Sequence, residues 1–207
     1  NMKVITFLNE KGGVGKTTSV VTIGAGLALR GKKVIIVDAD PQGNSTIAFG
    51  LKKAPGFYNL IVREASWNDE MYTVPPERYT TPDAAPDVTG SLYLMPANME
   101  VRNIASSIND AFAVLKRLME VRNAVDYILI DTSPTPSLLH ASILLASDAV
   151  VHPTELEAWS FDGLKESLSH SEQFDALRQQ YNLSPIELIG ILPTMVRMRT
   201  LEHQENL

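Results

Sequence analysis

A lysine- and glycine-rich segment near the start of the chain has the residue types that hold a phosphate group. Residues 11–18 read KGGVGKTT, between the apolar run 4–8 and an apolar helical pattern that ends at Gly31. Glycine lets the backbone turn its N–H groups inward around an anion, and the following helix points its positive end at the same place. Lys16 is expected to reach the β- and γ-phosphates of a nucleotide, and the Thr17 hydroxyl is expected to bind Mg²⁺. The segment therefore predicts a phosphate-binding loop.

The segment departs from the common phosphate-loop pattern at two positions. The form G-x-x-x-x-G-K-[ST] would begin with glycine where this chain has Glu10, and it needs no second lysine such as Lys11. The alternatives are an ordinary glycine turn and a solvated surface lysine. The strand-like run before the segment and the helical pattern after it favour a nucleotide site, in which Lys11 has a function of its own.

Three aspartates follow apolar runs that are typical of buried parallel strands. Asp38 and Asp40 come directly after residues 33–37, and Asp131 follows residues 127–130. Open α/β sheets bind ligands at the carboxyl ends of their strands, and an aspartate after four apolar residues is typical of a Walker B magnesium site. Each aspartate alone is more often a turn or helix-cap residue. Together with one phosphate loop, the three indicate a nucleotide pocket.

These segments together resemble a known family. KGGVGKTT, VDADPQGN (37–44) and ILIDTSPT (128–135) resemble the deviant Walker A, A′ and Walker B segments of the ParA family of partition ATPases, which are close relatives of MinD. The resemblance extends from Met2 to about Thr200. It implies an α/β fold: one P-loop ATPase domain over residues 1–207, with a mostly parallel, twisted sheet covered by helices on both faces.

The resemblance also implies roles for individual residues. Lys11 would cross a dimer interface to the phosphates of the partner's ATP, Asp40 would orient the attacking water, and Asp38 would lie in the outer shell of Mg²⁺. The implied catalytic residues are Lys11, Lys16 and Asp40, and the implied ligands of Mg²⁺, partly through water, are Thr17, Asp38 and Asp131. The residues implied to bind ATP are Lys11, Gly12, Gly13, Val14, Gly15, Lys16, Thr17, Thr18, Asp38 and Asp131, with Pro193, Thr194 and Met195 at the adenine. Val196 and Arg197 replace the aromatic-Asp pair that usually follows in the family, and Thr132, Ser133 and Pro134 stand where a pair of prolines is commoner.

The function that the resemblance implies is ATP-dependent partitioning or positioning. The protein would form a homodimer on Mg-ATP, bind DNA without sequence preference, and hydrolyse ATP slowly until a ParB-like or other cargo adaptor stimulates it. It would be cytoplasmic, and nucleoid-associated when ATP is bound. One alternative cargo is a protein assembly such as carboxysomes or chemoreceptor clusters. A MinD-like membrane-surface ATPase would need a basic amphipathic terminal helix, which residues 200–207 do not provide. A nucleotide-binding module without turnover would need neither Asp40 nor Lys11.

Composition restricts the other classes. No apolar stretch approaches the roughly 20 residues of a transmembrane helix, and no signal peptide is visible. The absence of cysteine excludes relatives that bind an iron–sulfur cluster through cysteines and suits a reducing compartment. The net charge of −6 argues against a strongly basic DNA-binding domain. Candidate phosphate-backbone contacts, each also explicable as a solvated cation, are Arg197, Arg199, Lys165 and Arg178.

Strand and helix patterns alternate along the chain, which predicts parallel strands joined by right-handed crossovers. The predicted strands are 3–8, 33–38, 92–96, 127–131, 148–152 and 186–192, and the predicted helices are 16–30, 44–50, 101–122, 136–147 and 159–181. A proline-rich irregular excursion covers about 52–90, with helical turns near 57–62 and a short edge strand at 71–74. Glu155 and Glu157 are expected to be exposed loop carboxylates, although contact with the ribose or a dimer partner is the alternative. Family members usually continue with another strand and closing helices, which are absent before Leu207.

Overall fold

Strands and helices alternate in the computed structural model, which describes residues 2–156 and 160–196 of the chain. The strands are β1 (Lys3–Phe7), β2 (Lys33–Ala39), β3 (Tyr72–Val74), β4 (Ser91–Met95), β5 (Tyr127–Thr132), β6 (Ala149–Glu155) and β7 (Glu187–Thr194). The helices are α1 (Lys16–Leu29), α2 (Asn44–Ala48), α3 (Gly56–Val62), α4 (Trp67–Glu70), α5 (Ile104–Ser107), α6 (Ala113–Met119), α7 (Leu138–Ala146) and α8 (Ser160–Gln180). Three short 3₁₀ turns lie at Pro76–Arg78, Ala85–Asp87 and Met99–Asn103. None of the helices in this described part of the chain has both the length and the apolar content needed to cross a bilayer.

The seven strands form one sheet in the order β3-β4-β2-β5-β1-β6-β7. All neighbouring pairs are parallel except β3 and β4. Strand β1 lies between β5 and β6, and Phe7 at its end lies opposite Asp131. Asp38 on β2 is the register partner of Asp131 on β5. The sheet thus brings the carboxyl ends of β1, β2 and β5 together, and the predicted α/β fold is confirmed.

Both faces of the sheet are covered because alternate side chains of each strand point to opposite sides. On β2, Ile35 and Val37 join the apolar cluster that includes residues of α3, α5, α6 and α7, whereas Val34 and Ile36 join the cluster that includes residues of α1. All four side chains are almost completely buried. Burial of each such side chain stabilises the fold by about 2 kcal/mol, so the central strands form a rigid base for the loops at their ends.

The proline-rich segment lies against one edge of this sheet. The predicted helical turns are present as α3, and the predicted edge strand is β3, which pairs antiparallel with β4. Phe57 and Leu60 of α3 are fully buried, and the Trp67 indole of α4 donates a hydrogen bond to the Arg117 carbonyl. The segment is therefore packed onto the domain through α3 and α4.

The single helix predicted over residues 101–122 is wrong. The structure has a 3₁₀ turn followed by α5 and α6, with a break between the two helices. The Ser106 and Ser107 hydroxyls both donate to the Asn103 carbonyl, and the Asp110 carboxylate accepts the Phe112 N–H. Short polar side chains of this kind compete with the helical backbone for hydrogen bonds, and they stop the helix although the apolar spacing continues.

Candidate functional site

The loop between β1 and α1 has the backbone shape of a phosphate cradle. Gly13 and Gly15 have φ values of 78° and 82°, which side-chain-bearing residues rarely adopt. A β-carbon on Gly15 would also lie 3.2 Å from the Thr194 methyl carbon. Helix α1 begins at the next residue, and its first turn contains no acidic side chain. The N–H groups and the positive end of the helix are therefore directed at a site suited to an anion.

Lys16 places its ammonium group across this loop. Its Nζ donates to the Asn9 carbonyl at 2.7 Å and to the Lys11 carbonyl at 2.9 Å. Burial lowers the pKa of Lys16, while the negative charges of Asp131 and Asp40 act in the opposite direction. Both hydrogen-bond partners are neutral carbonyl groups. They hold the Lys16 ammonium in place without cancelling its positive charge, which can therefore attract a phosphate.

Asp131 lies beneath the loop, at the end of β5. Its Oδ2 accepts the Thr17 hydroxyl at 2.7 Å and the Ser45 hydroxyl at 2.8 Å. Its Oδ1 is buried and has no hydrogen-bond partner among the described residues. Burial raises the pKa of Asp131 to about 6, against the effect of the two hydroxyl donors. An unpaired buried carboxylate oxygen beside a hydroxyl is a suitable position for a hard cation.

Asp38 is the second buried carboxylate, at the end of β2. Its Oδ2 accepts the Thr46 N–H at 2.9 Å and the Thr46 hydroxyl at 2.7 Å, and its Oδ1 accepts the Asp40 N–H at 3.3 Å. Burial, and then the nearby charge of Asp131, raise the pKa of Asp38 to about 7. Mg²⁺ is usually held by one or two carboxylates together with water and substrate phosphates. Thr17, Asp38 and Asp131 provide a donor set that fits this ion.

Asp40 lies in the loop that follows β2, closer to solvent. Its Oδ1 accepts the Gln42 N–H at 2.8 Å, and its carbonyl accepts the Gly43 N–H at 2.9 Å. Gly43 has a φ of 62°, and a β-carbon there would lie 2.9 Å from the Ala97 carbonyl oxygen. The turn therefore presents the Asp40 carboxylate to the cleft described next, and glycine is required where the turn passes the segment that follows β4.

A cleft of about 700 Å³ lies above these groups. Several residues predicted to bind ATP line it: Gly12, Gly13, Gly15, Lys16, Thr17, Thr18 and Met195. Asp40 and the loop Thr132–Thr135 line it as well. Asp38 and Asp131 do not line the cleft but lie buried below it. The structure thus brings the phosphate loop and all three aspartates into one region.

The remaining predicted ATP-binding residues are placed differently. Val14 is buried, and its carbonyl accepts the Thr194 hydroxyl at 2.8 Å. Pro193 lies in the β6–β7 ladder opposite Thr154, outside the lining of the cleft. Of the three residues predicted at the adenine, Thr194 therefore supports the phosphate loop, and Met195 lines the cleft.

Lys11 is held at the side of the loop by a contact that the sequence analysis did not predict. Its Nζ lies 3.5 Å from Glu155 Oε2, and both side chains are about one-fifth exposed. The expectation that Glu155 is an exposed loop carboxylate is therefore wrong, because the end of β6 carries it to the mouth of the phosphate loop. Glu157 lies outside the described residues.

Sequence reasoning missed three side chains that support the site: Asn9, Ser45 and Thr46. Asn9 Nδ2 donates to the Pro153 carbonyl at 2.9 Å, while its Oδ1 accepts the Lys11 N–H at 2.9 Å, so it joins the phosphate loop to β6. The available signal was position: Asn9 directly precedes the loop motif, and Ser45 and Thr46 directly follow the motif that contains Asp38 and Asp40.

One proposed DNA contact has a structural role instead. Arg178 is buried, and its guanidinium donates to the carbonyls of Leu144, Leu145 and Ser184 at 3.0, 2.7 and 2.8 Å. It therefore joins α8 to the end of α7 and cannot contact DNA in this fold. The Lys165 side chain is exposed, and Arg197 and Arg199 lie outside the described residues.

The chain is similar to known proteins in both sequence and fold. A family model described as an AAA domain matches residues 2–184. The chain is 36% identical over 203 residues to the sporulation initiation inhibitor protein Soj of Bacillus subtilis. The aligned region covers 96% of this chain and 74% of that protein. It is 33% identical over 208 residues to the chromosome-partitioning ATPase Soj of Treponema pallidum, covering 98% of this chain and 75% of that protein. Cobyrinic acid a,c-diamide synthase from Mycobacterium smegmatis, solved with an ATP analogue and magnesium, has a TM-score of 0.82 at 24% identity and covers 100% of this chain and 80% of that one. That structural likeness shows the shared fold.

Proposed function

Because the chain belongs to the ParA family of partition ATPases, we propose that it binds Mg-ATP in the cleft above Asp131 and uses slow hydrolysis to control a DNA-bound homodimer. The observation that carries the proposal is the convergence at one sheet edge of the phosphate loop, two buried carboxylates and the accessible Asp40. Phosphoryl transfer depends mainly on positioning and charge neutralisation, and these groups supply both.

Each group has a distinct part in this mechanism. The N–H groups of the loop and the Lys16 ammonium would hold the β- and γ-phosphates, and Thr17, with Asp131 behind it, would hold Mg²⁺. When bound, Mg²⁺ would neutralise charge on the phosphate oxygens. Asp38 would support the same position. Asp40 orients the attacking water and accepts a hydrogen bond from it.

Lys11 acts across the dimer, at the phosphates of the partner's ATP. In the single chain it contacts Glu155 at 3.5 Å. A phosphate of the partner's ATP would replace the Glu155 carboxylate as the group that Lys11 contacts, so formation of the dimer would depend on ATP.

The proposed binding of DNA and of an adaptor rests on the relatives rather than on the geometry of the site. The matched proteins include a chromosome-partitioning ATPase, so we assign nonspecific DNA as the track and a ParB-like or other cargo adaptor as the stimulating partner. The protein would then be associated with the nucleoid in its ATP state. With Arg178 committed to the packing of α8, Lys165, Arg197 and Arg199 remain as candidates for phosphate contact.

The test is fluorescence anisotropy of a random-sequence DNA duplex with Asp40→Ala protein, which should retain ATP because it cannot hydrolyse it. The measurement is made with ATP, with ADP and without nucleotide, each at two salt concentrations. We expect the protein to bind DNA only when ATP is present. Added salt should weaken this binding, because the contacts are to the phosphates of the DNA backbone. Lys16→Ala, which lacks the phosphate-binding ammonium, serves as the control and should bind no DNA. Equal DNA binding in all three nucleotide states, or none in any, would contradict the proposal.

A further inference from the structure

Two neighbouring side chains on the short helix α2 reach the two buried carboxylates of the site. The Ser45 hydroxyl donates to Asp131 Oδ2 at 2.8 Å, and the Thr46 hydroxyl donates to Asp38 Oδ2 at 2.7 Å. Both hydroxyl residues and Asp38 have no exposed surface, and Asp131 is 1% exposed. One turn of helix thus contacts the ends of both β2 and β5.

These hydrogen bonds are not the ones that a helix ordinarily offers to hydroxyl side chains. Serine and threonine in helices commonly donate to the carbonyl four residues earlier, as the Ser19 hydroxyl of α1 does to the Gly15 carbonyl at 2.8 Å. A hydroxyl has one proton to donate, so Ser45 gives its proton to Asp131, which is 86 positions away in the chain. Thr46 also accepts the Ala97 N–H at 3.2 Å, which fastens α2 to the end of β4.

Asp131 Oδ2 is therefore the point where two elements meet. It accepts Thr17 from α1, which begins the nucleotide-binding helix, and Ser45 from α2, which follows the Asp40 turn. Asp40 closes this turn, because its Oδ1 accepts the Gln42 N–H and its carbonyl accepts the Gly43 N–H. A displacement of Asp131 would therefore have a hydrogen-bonded route to Asp40, through Ser45 and this short turn.

We propose that Ser45 is a positioning residue that couples the Asp40 turn to the Thr17–Asp131 pair, so that the water-orienting carboxylate is placed by the same group that holds the cation side of the site. The inference rests on the proposed function for its catalytic consequence, while its structural consequence exists without nucleotide. Nucleotide affinity depends mainly on the N–H groups of the phosphate loop and on Lys16, so we expect it to change little when the Ser45 hydroxyl is removed. Turnover depends on the position of Asp40, and it therefore requires the Ser45 hydroxyl.

The test compares Ser45→Ala with Ser147→Ala in the full chain. Ser147 is an equally buried serine whose hydroxyl contacts Thr6 and the Ile143 carbonyl, away from the cleft. For Ser45→Ala we expect kcat for ATP to fall about tenfold with KM within about twofold, because small errors in position reduce catalysis strongly. Amide hydrogen exchange of residues 40–48 in the nucleotide-free protein should rise about threefold. Ser147→Ala should change neither quantity. Ser45→Cys, which keeps the shape of the side chain with a larger and weakly donating atom, should shift both in the same direction as Ser45→Ala.

The outcomes separate the two proposals. The coupling would be overturned if Ser45→Ala matched the unmodified protein in both kcat and the amide hydrogen exchange of residues 40–48. It would also be overturned if Ser45→Ala and Ser147→Ala lost kcat equally. An unmodified protein that does not hydrolyse ATP would overturn the proposed function, and the exchange measurement on nucleotide-free protein would still decide the structural coupling.

Discussion

At the scale of single residues, the site holds charged groups in positions that disfavour their charge. Asp38 and Asp131 are register partners on adjacent strands, and burial raises the pKa of both. Burial also lowers the pKa of Lys16 on the opposite side of the phosphate loop. This arrangement lowers the stability of the nucleotide-free protein. A cation bound between the carboxylates and the phosphates would reduce this cost.

A pH-dependent loss of stability follows from Asp131. Its pKa of about 6 in the folded protein exceeds the ordinary value of 3.8, so the folded state keeps a proton that the unfolded chain releases. The resulting stabilisation is present below pH 3.8 and is lost as the pH rises from 3.8 to about 6. Asp131→Asn does not titrate, and in the nucleotide-free state we expect it to be more stable than the unmodified protein at pH 8, by about 2 kcal/mol.

The measurement is urea unfolding of both proteins without nucleotide at several pH values between 4 and 8. The stability difference should shrink as the pH falls below about 6. A difference that does not vary with pH would contradict the assignment of this proton to Asp131. Added Mg-ATP should stabilise the unmodified protein more than the variant, because the variant lacks the carboxylate.

At the scale of elements, local sequence and long-range contact differ in what they control. The phosphate loop and its flanking elements were predictable because glycine spacing, a buried strand and a helical pattern are local signals. The break between α5 and α6 was not predicted, although its cause is local. The apolar spacing over 101–122 suggested one helix, and the short polar side chains were given less weight. The partners of Ser45 and Lys11 are 86 and 144 positions away in the chain, so no local pattern could indicate them.

The attachment of α8 provides a prediction at this scale. Arg178→Ala removes the buried guanidinium together with its three hydrogen bonds. The two carbonyls at the end of α7 then lose these donors. We expect the free energy of unfolding to fall by about 3 kcal/mol. Chemical denaturation followed by circular dichroism measures the change.

Lys165→Ala is the matched control for Arg178→Ala, because its exposed side chain lies on the same helix. Its stability should stay within about 0.5 kcal/mol of the unmodified protein. Unchanged stability in Arg178→Ala, combined with weakened DNA binding, would restore Arg178 as a DNA contact and contradict the structural role.

At the scale of the whole molecule, the proposed function requires a second copy. Lys11 lies at the mouth of the phosphate loop, where its contact with Glu155 is partly exposed to solvent. Lys11→Ala removes the cation that would reach the partner's phosphates in the proposed dimer, but it leaves Lys16 in place. We therefore expect this variant to bind ATP with nearly unchanged affinity and to stay monomeric.

Light scattering with a non-hydrolysable ATP analogue measures the oligomeric state, and binding of a fluorescent ATP derivative measures the affinity. Lys3→Ala is a suitable control, since Lys3 is an exposed lysine that pairs with Glu187, on a part of the sheet away from the cleft. An ATP-dependent dimer of Lys11→Ala would refute the role of Lys11 in trans.

The amino-acid sequence alone determined the fold class, the phosphate loop and the three aspartates, because each depends on a short run of neighbouring residues. It also indicated the ParA family, whose membership the comparisons confirm. Only the tertiary structure decided which strands are adjacent, and therefore that β1, β2 and β5 deliver their ends to one place. That adjacency brings Asp38 beside Asp131, Glu155 beside Lys11, and Ser45 beneath the site. The physical reason is that hydrogen bonds and burial act between atoms close in space, whereas sequence patterns report on residues close along the chain.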